Sequence, residues 1–257
     1  MHTPQGLDSH KKAVLDQLAR VELDRCGTAD DRRKRQQQPD PKHLFSFGLK
    51  TELDYLFIPH ICNMTIRYNG FMKLILAQGN PGVKFVETRH NVGFRALERF
   101  ADDHGLHFQA KPRWNAEIAE QGSGENKILL VMPSTFYNET GQAARALVDF
   151  YHINPRDVLV IHDELALPFG TLRTRQRGSD AGNNGVKSLN AHLGQDYTRL
   201  RVGIANELLA HMAAMEFVLG NFSKEEKTQL DTVIFPKTNE IIDKFIDGSL
   251  EITSHKL

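Results

Sequence analysis

The chain of 257 residues balances 32 Lys+Arg against 32 Asp+Glu, with 40% apolar and 25% charged residues; this is the composition of a soluble globular protein, not of a disordered, collagen-like or disulfide-stapled chain. At roughly 100 to 200 residues per domain, it has room for one sizeable domain with an appendage or for two small ones. Cys26 and Cys62 are the only cysteines, so nothing beyond the first quarter can use a disulfide, a thiolate nucleophile or a Cys-bound metal, and a reducing, cytoplasmic setting is expected.

Ser9 to Arg25 has the pattern of one amphipathic helix. It runs into Arg32-Arg33-Lys34-Arg35, three glutamines and Pro39, a stretch that reads as a solvated linker. Apolar pieces such as Tyr55 to Ile61 follow without a clear period. No apolar run nears the roughly 18 to 20 residues of a membrane helix, and Met1 to Lys12 lacks the basic-then-apolar order of an export signal. At Met72 the character changes. From there to the end, strand and helix patterns alternate, so the working domain is expected at 72–257, with 1–71 as an N-terminal extension or an over-long reading frame.

Lys73 to Gln78 predicts a buried strand, stopped by Gly79-Asn80-Pro81-Gly82. Arg89 to His104 predicts a helix with Val92, Ala96, Leu97, Phe100 and Ala101 on one face. Ala116 to Gln121 and Lys127 to Met132 flank turn residues and predict a hairpin. Glu139 to Tyr151 is helical, with Ala143, Ala144, Leu147, Val148 and Tyr151 inward. Asp157 to Ile161 is a fully apolar strand leading into His162-Asp163-Glu164. Leu172 to Gln176 predicts a strand, Asn184 to His192 a short helix and Arg199 to Ile204 another strand. Ser223 with Glu226 marks the capped start of a C-terminal helix that Pro236 should interrupt or kink. Strands recurring between helices predict an α/β domain, with a twisted, mostly parallel mixed sheet between helices.

Ligands of such sheets bind beyond the carboxyl ends of the strands. That rule selects two expected loops, Gly79 to Gly82 and His162 to Pro168. Asn80 sits in the first, where a turn leaves its carboxamide pointing outward, although a plain turn asparagine looks the same. His90 opens the next helix; alone, a histidine there is a capping or surface residue. Asp163, on the same rim, changes its meaning: a carboxylate accepting one imidazole N–H fixes the tautomer and leaves the other nitrogen as a base. No cysteine remains to act as nucleophile, no Gly-x-Ser-x-Gly elbow occurs, and His104 with His107 lacks the company a metal site needs. Water, deprotonated by His90, is the simplest reagent left. Metal assistance is poorly supported on these grounds.

Asn138 and Asn184 stand in polar loops beside helix starts. Each suits an N-cap, and each equally offers the donor and acceptor that a peptide unit complements. The glycine-rich run Gly178 to Gly185 matches neither nucleotide-binding pattern. Around it, Arg173, Arg175, Arg177, Lys187, Arg199 and Arg201 face only Asp180 and Asp196 across 171–203. Alternate arginines on one strand project to one face. Such a row suits a nucleic-acid backbone, or else a solvated edge strand blunted by charge.

KLILAQGNPG, TRHNVGF, MPSTFYNETG, INPRDVLVIHDELALPFG, AGNNGVKSL, RLRVGI and FVLGNFS occur in that order. Together they resemble the bacterial peptidyl-tRNA hydrolase family from Met72 essentially to the C-terminus. The resemblance implies a single α/β domain that cleaves the ester between a peptide and the 3′-terminal ribose of tRNA. His90 would be the general base, Asp163 its support, and Asn80 the contact beside the scissile ester. Phe85, Phe136, Asn138 and Asn184 would line the path of the peptide and the 3′ end, and the Arg173 to Arg177 row with Arg199 or Arg201 would meet phosphates. Peptidyl-tRNA is the implied partner, with no metal or organic cofactor, no membrane partner and a monomeric chain. The sequence departs from the family pattern in four places. Phe85 stands where an aromatic hydroxyl is usual, Asn183 where histidine is common and Ala166 where an acid is common; Ala205 to Leu209 replaces a Gly/Pro-containing loop.

A noncatalytic RNA-binding module and a metal-free hydrolase of small esters or peptides are the alternative functions. The change of character at Met72 is itself testable. The intact mass of protein made in its own host is expected to correspond to a chain beginning at Met72, and recovery of the 257-residue chain would overturn that start.

Overall fold

The computed structural model describes residues 72–257. The expected helix at 9–25, the linker, the apolar pieces and both cysteines lie outside the described residues. The Lys73–Ala77 segment is β1, buried on both faces as its unbroken apolar run requires. Next come α1 (Val92–Asp103), β2 (Gln109–Lys111), β3 (Ala116–Gln121) and β4 (Ile128–Pro133). After these follow α2 (Thr140–Tyr151), β5 (Val158–Pro168), β6 (Thr171–Gln176), α3 (Asn184–Leu193) and β7 (Thr198–Ala205). The chain closes with α4 (Ala214–Leu219), α5 (Lys224–Gln229), α6 (Phe235–Ile246) and β8 (Ser254–Lys256). No helix among the described residues is long and apolar enough to cross a membrane.

The eight strands form one sheet in the order β2-β3-β4-β1-β5-β7-β6-β8. β4, β1, β5 and β7 are mutually parallel, while β3 and β6 run against their neighbours. Because β2 and β8 are antiparallel to β3 and β6, they point the same way as the centre. The sheet is therefore mixed and mostly parallel, as expected.

Helices cover both faces. On one, Ile75, Leu159, Ile161, Leu200 and Val202 pack with Ala96, Leu97 and Phe100 of α1 and with Ile241, Ile242 and Phe245 of α6. On the other, Leu74, Leu76, Val131, Val158 and Val160 pack with Leu147 and Val148 of α2 and Leu189 of α3. The chain leaves β1 through α1 on the first face and leaves β4 through α2 on the second. The crevice where the two connections diverge lies at the carboxyl ends of β1, β4 and β5. Close approach there is built in: a Cβ on Gly93, in the first turn of α1, would lie 2.6 Å from the Gln78 carbonyl and 2.7 Å from that of Ile161.

Several expectations need correction. His162 to Pro168 is not a loop; β5 runs on to Pro168, because β7 continues beside it to Ala205 and supplies partners, with a register shift between Glu164 and Pro168. β6 is not an edge strand, since β8 covers it. Neither β2 nor β8, at three residues each, carries enough alternation to be recognised. The C-terminal helix, by contrast, is interrupted ahead of Pro236 as expected. Pro236 sits in the first turn of α6, and a π-helical turn at Leu230–Ile234 takes up the mismatch before it.

The capping box of α5 forms as expected, with Ser223 Oγ accepting from Glu226 N and Glu226 Oε2 accepting from Ser223 N. Glu226 also accepts from Arg89 Nη2 at 3.0 Å and from Asn206 Nδ2 at 2.6 Å. The Arg89 guanidinium lies 4.5 Å from the Phe217 ring centroid, with a side chain only 5% exposed. The ion pair thus ties the residue preceding His90 to the C-terminal helices. Ser223→Ala is expected to cost about 1 kcal/mol. Glu226→Ala, which strands a buried guanidinium, is expected to cost about 3–5 kcal/mol. Urea unfolding measures both, and equal losses would show that Arg89 does not depend on Glu226.

Candidate active site

His90 lies in a 3₁₀ turn, Arg89–Asn91, that precedes α1. The turn is fixed from two sides. The Arg89 N–H donates to the Gly220 carbonyl. Asn91 clasps the loop after β1, its Oδ1 accepting from Asn80 N and its Nδ2 donating to the Asn80 carbonyl, both at 2.9 Å. His90 and Asn80 are thereby held as one unit. Asp163, on β5, is 3% exposed, and its Oδ2 lies 2.9 Å from His90 Nδ1. The expected imidazole–carboxylate pair is formed, across 73 residues of sequence.

Tyr137, which sequence reading passed over, stands at the centre of the arrangement. It is 2% exposed and occupies a 3₁₀ turn, Tyr137–Glu139, ahead of α2. Its hydroxyl donates to Asp163 Oδ1 at 2.5 Å. Its ring stacks on that of His90, with centroids 3.6 Å apart and planes 16° from parallel. Its backbone N–H donates to Asn80 Oδ1 at 2.9 Å. The Asn80 amide is therefore oriented with Nδ2 as its remaining donor. Burial, together with the nearby Asp163 charge, pushes the Tyr137 hydroxyl well above the ordinary tyrosine range, so it stays protonated and keeps donating.

These groups border a cavity of about 480 Å³, lined by Asn80, Phe85, His90, Phe136, Asn138, Asp163 and Asn184 among others. Every expected residue of the peptide and 3′-end path is on its wall. Phe136 is 60% exposed, an aromatic face open to a ligand. Asn138 and Asn184 are not caps. Asn138 is the exposed middle residue of its turn, and the cap of α3 is Asn183, whose Oδ1 accepts from Val186 N at 3.0 Å. Their amides are exposed at the cavity wall. The segment that departs from the family pattern after Ile204 forms a short 3₁₀ turn, Glu207–His211, and then α4. Ala214, Met215, Val218 and Leu219 of α4 supply an apolar wall, which no local signal marked.

The arginines divide. Arg173 and Arg175 of β6 pair in register with Arg201 and Arg199 of β7, so four guanidinium groups start from one face. Arg199 does not extend to solvent; it is 7% exposed and donates to the carbonyls of Arg177 and Ser179, each at 2.7 Å. Its task is to fold the loop that presents Asn183 and Asn184. Arg201 is held by Glu164, with Nη2 at 2.7 Å and Nε at 2.8 Å from the same carboxylate oxygen. Arg173 and Arg175 are half-buried and carry no carboxylate partner among the described residues. Arg177 pairs with Asp196.

The model of the family described as peptidyl-tRNA hydrolase matches residues 74–256. The chain belongs to the peptidyl-tRNA hydrolase family. It is 41% identical over 179 residues to the peptidyl-tRNA hydrolase of a Synechococcus strain, covering 68% of this chain and 84% of that one. It is 43% identical over 163 residues to that of Paracoccus denitrificans, covering 63% and 68%. The crystal structure of peptidyl-tRNA hydrolase from Acinetobacter baumannii superimposes with a TM-score of 0.62 at 28% identity, over 70% of this chain and 90% of that one. The expected fold class and family are thus shown.

Behind Asp163, the neighbouring His162 points to the opposite face of the sheet and is 2% exposed, with Nδ1 bonded to the Asp163 carbonyl at 2.7 Å. Burial lowers its pKa from the ordinary 6.5, outweighing the opposing pull of Asp163 and Glu164. Below about pH 6.5 the unfolded chain takes up a proton there that the native state refuses. The associated stability is complete above that pH and declines as pH falls toward the native value. Urea unfolding at about pH 8 and about pH 5.5 is expected to show this decline, and His162→Gln to diminish it. A pH response identical in the variant would remove His162 as a source.

Proposed function

We propose that residues 72–257 hydrolyse peptidyl-tRNA at the ester joining the peptide to the 3′-terminal ribose, with His90 as general base. The observation that carries this reading is the His90–Asp163 pair, set beside the Asn80 amide on the wall of a cavity of about 480 Å³. With Nδ1 committed to Asp163, His90 offers Nε2 to water. That nitrogen takes a proton as the water oxygen attacks the ester carbonyl carbon. Negative charge then gathers on the carbonyl oxygen, and the Asn80 Nδ2 donor is suited to receive it. The carbon–oxygen bond to the ribose breaks as the imidazolium returns its proton to the 3′ oxygen, leaving a peptide acid and free tRNA.

Asn138 and Asn184, each with a donor and an acceptor, complement peptide units, while Phe136 and Phe85 offer faces for stacking. Arg173 and Arg175 are the candidates for phosphate contact, with Arg199 and Arg201 withdrawn to structural pairs. The family match starting at residue 74 and β1 starting at Lys73 support a domain that begins at Met72. Every group the reaction needs comes from one chain, which suits a monomer working in the cytoplasm where peptidyl-tRNA arises.

N-acetyl-aminoacyl-tRNA incubated with the full chain, and with protein beginning at Met72, tests the reading. Both are expected to release tRNA, and His90→Ala is expected to lower turnover by roughly 10²-fold or more while tRNA binding persists. Full turnover by that variant would remove His90 from the mechanism. Affinity should fall steeply with salt if phosphates are engaged; a flat response would favour a hydrolase of small esters.

A further inference from the structure

We propose that Tyr137 is a positioning residue for the hydrolytic pair, the middle of a directed hydrogen-bond chain that runs from Asn183 through the Tyr137 hydroxyl and Asp163 to His90. The proposal rests on His90 acting as the base and adds to it a device that sets the base's tautomer and strength.

The direction of the chain follows from helix capping. Asn183 Oδ1 is occupied by the Val186 N–H at the start of α3, so the atom it turns toward Tyr137 is Nδ2, 3.1 Å from the hydroxyl oxygen. An amide N–H₂ can only donate, so the tyrosine oxygen accepts there and its own proton goes to Asp163 Oδ1 at 2.5 Å. With Oδ1 satisfied, Oδ2 is left to accept from His90 Nδ1, and Nε2 is the unprotonated nitrogen. Glycine is required for this contact. A Cβ on Gly185 would lie 2.3 Å from Cε1 of the Tyr137 ring, so α3 could not bring Asn183 to the hydroxyl with any larger residue there.

The electrostatic consequence has a definite sign. A carboxylate that accepts a short bond from a hydroxyl spreads its charge and attracts an imidazolium less strongly. Without the hydroxyl, Asp163 holds a protonated His90 more tightly and leaves one buried oxygen unsatisfied. The ring, which supports the His90 plane by stacking, survives in phenylalanine. Tyr137→Phe therefore isolates the hydrogen bond from the stack.

The experiment follows kcat and KM for N-acetyl-aminoacyl-tRNA across pH in the full chain and its Tyr137→Phe, Asn183→Ser and His90→Ala variants. Tyr137→Phe is expected to lower kcat about tenfold with KM within about twofold, and to move the acidic limb of the pH profile to higher pH. Asn183→Ser keeps an oxygen for the α3 cap but loses the donor to Tyr137; it is expected to shift the same limb in the same direction by less. An unmoved limb in both variants, or a fall in kcat explained entirely by lost stability, would overturn the proposal. If Tyr137→Phe does not fold, Asn183→Ser decides the matter alone. His90 ring-nitrogen chemical shifts add a direct readout: the Nδ1–H tautomer should dominate in the unaltered chain, and a dominant Nε2–H form would overturn the proposed direction. Full turnover by His90→Ala would sink the general-base reading itself, whereas a silent Tyr137→Phe beside an inactive His90→Ala would sink only the role of Tyr137.

Discussion

A carboxylate taken almost wholly out of water must have its oxygens satisfied, and the arrangement of this site follows from how Asp163 meets that demand. One oxygen accepts from Tyr137 and the other faces His90. Leaving either partner out would strand buried charge at a cost of several kcal/mol. The requirement draws together two connections of the fold and one strand: the turn after β1, the turn after β4 and the far half of β5. Geometry and stability are coupled there, because the carboxylate that orients His90 is also the group the interior tolerates least without partners.

The fold supports this by placing anchors behind each participant. His90 is held by neighbours on both sides in sequence: Arg89, clamped between Phe217 and Glu226, and Asn91, hydrogen-bonded to both backbone groups of Asn80. Tyr137 is seated against α3 through Gly185 and held through Asn183. Such second contacts restrict the side chains to one geometry before any substrate arrives, which is the condition for electrostatic help that costs no reorganisation during reaction.

The arginines show how a row of like charges in sequence becomes a set of different tasks in space. Pairing β6 with β7 set two arginines opposite two others, and like charges directly opposed on a sheet destabilise it. The fold relieves the crowding by sending Arg199 to backbone carbonyls and Arg201 to Glu164. Arg173 and Arg175 are left bonded only to Ser254 and a backbone carbonyl, with no carboxylate partner among the described residues. Arg199 in turn folds the glycine-rich loop, which places Asn183 and Asn184 at the cavity wall.

The sequence by itself determined the elements whose residues carry a period or a stop. The apolar run of β1, the one-sided faces of α1 and α2, the β3–β4 hairpin and the Ser223–Glu226 cap were legible because each is decided by neighbours within a few positions. His90, Asn80 and Asp163 were legible as neighbours on one rim, since strands and helices alternate, although Asp163 lies within β5 rather than at its end. Tyr137 was not legible, because a buried tyrosine before a helix has the same local pattern whether its hydroxyl meets a carboxylate or water. Nor could spacing separate Asn183 from Asn184 as the cap, extend β5 past Ile161, or distinguish a buried Arg199 from a half-buried Arg175. Each of those depends on partners tens of residues away, and only the tertiary structure, by closing those distances and excluding water, decided which polar groups had to find one another.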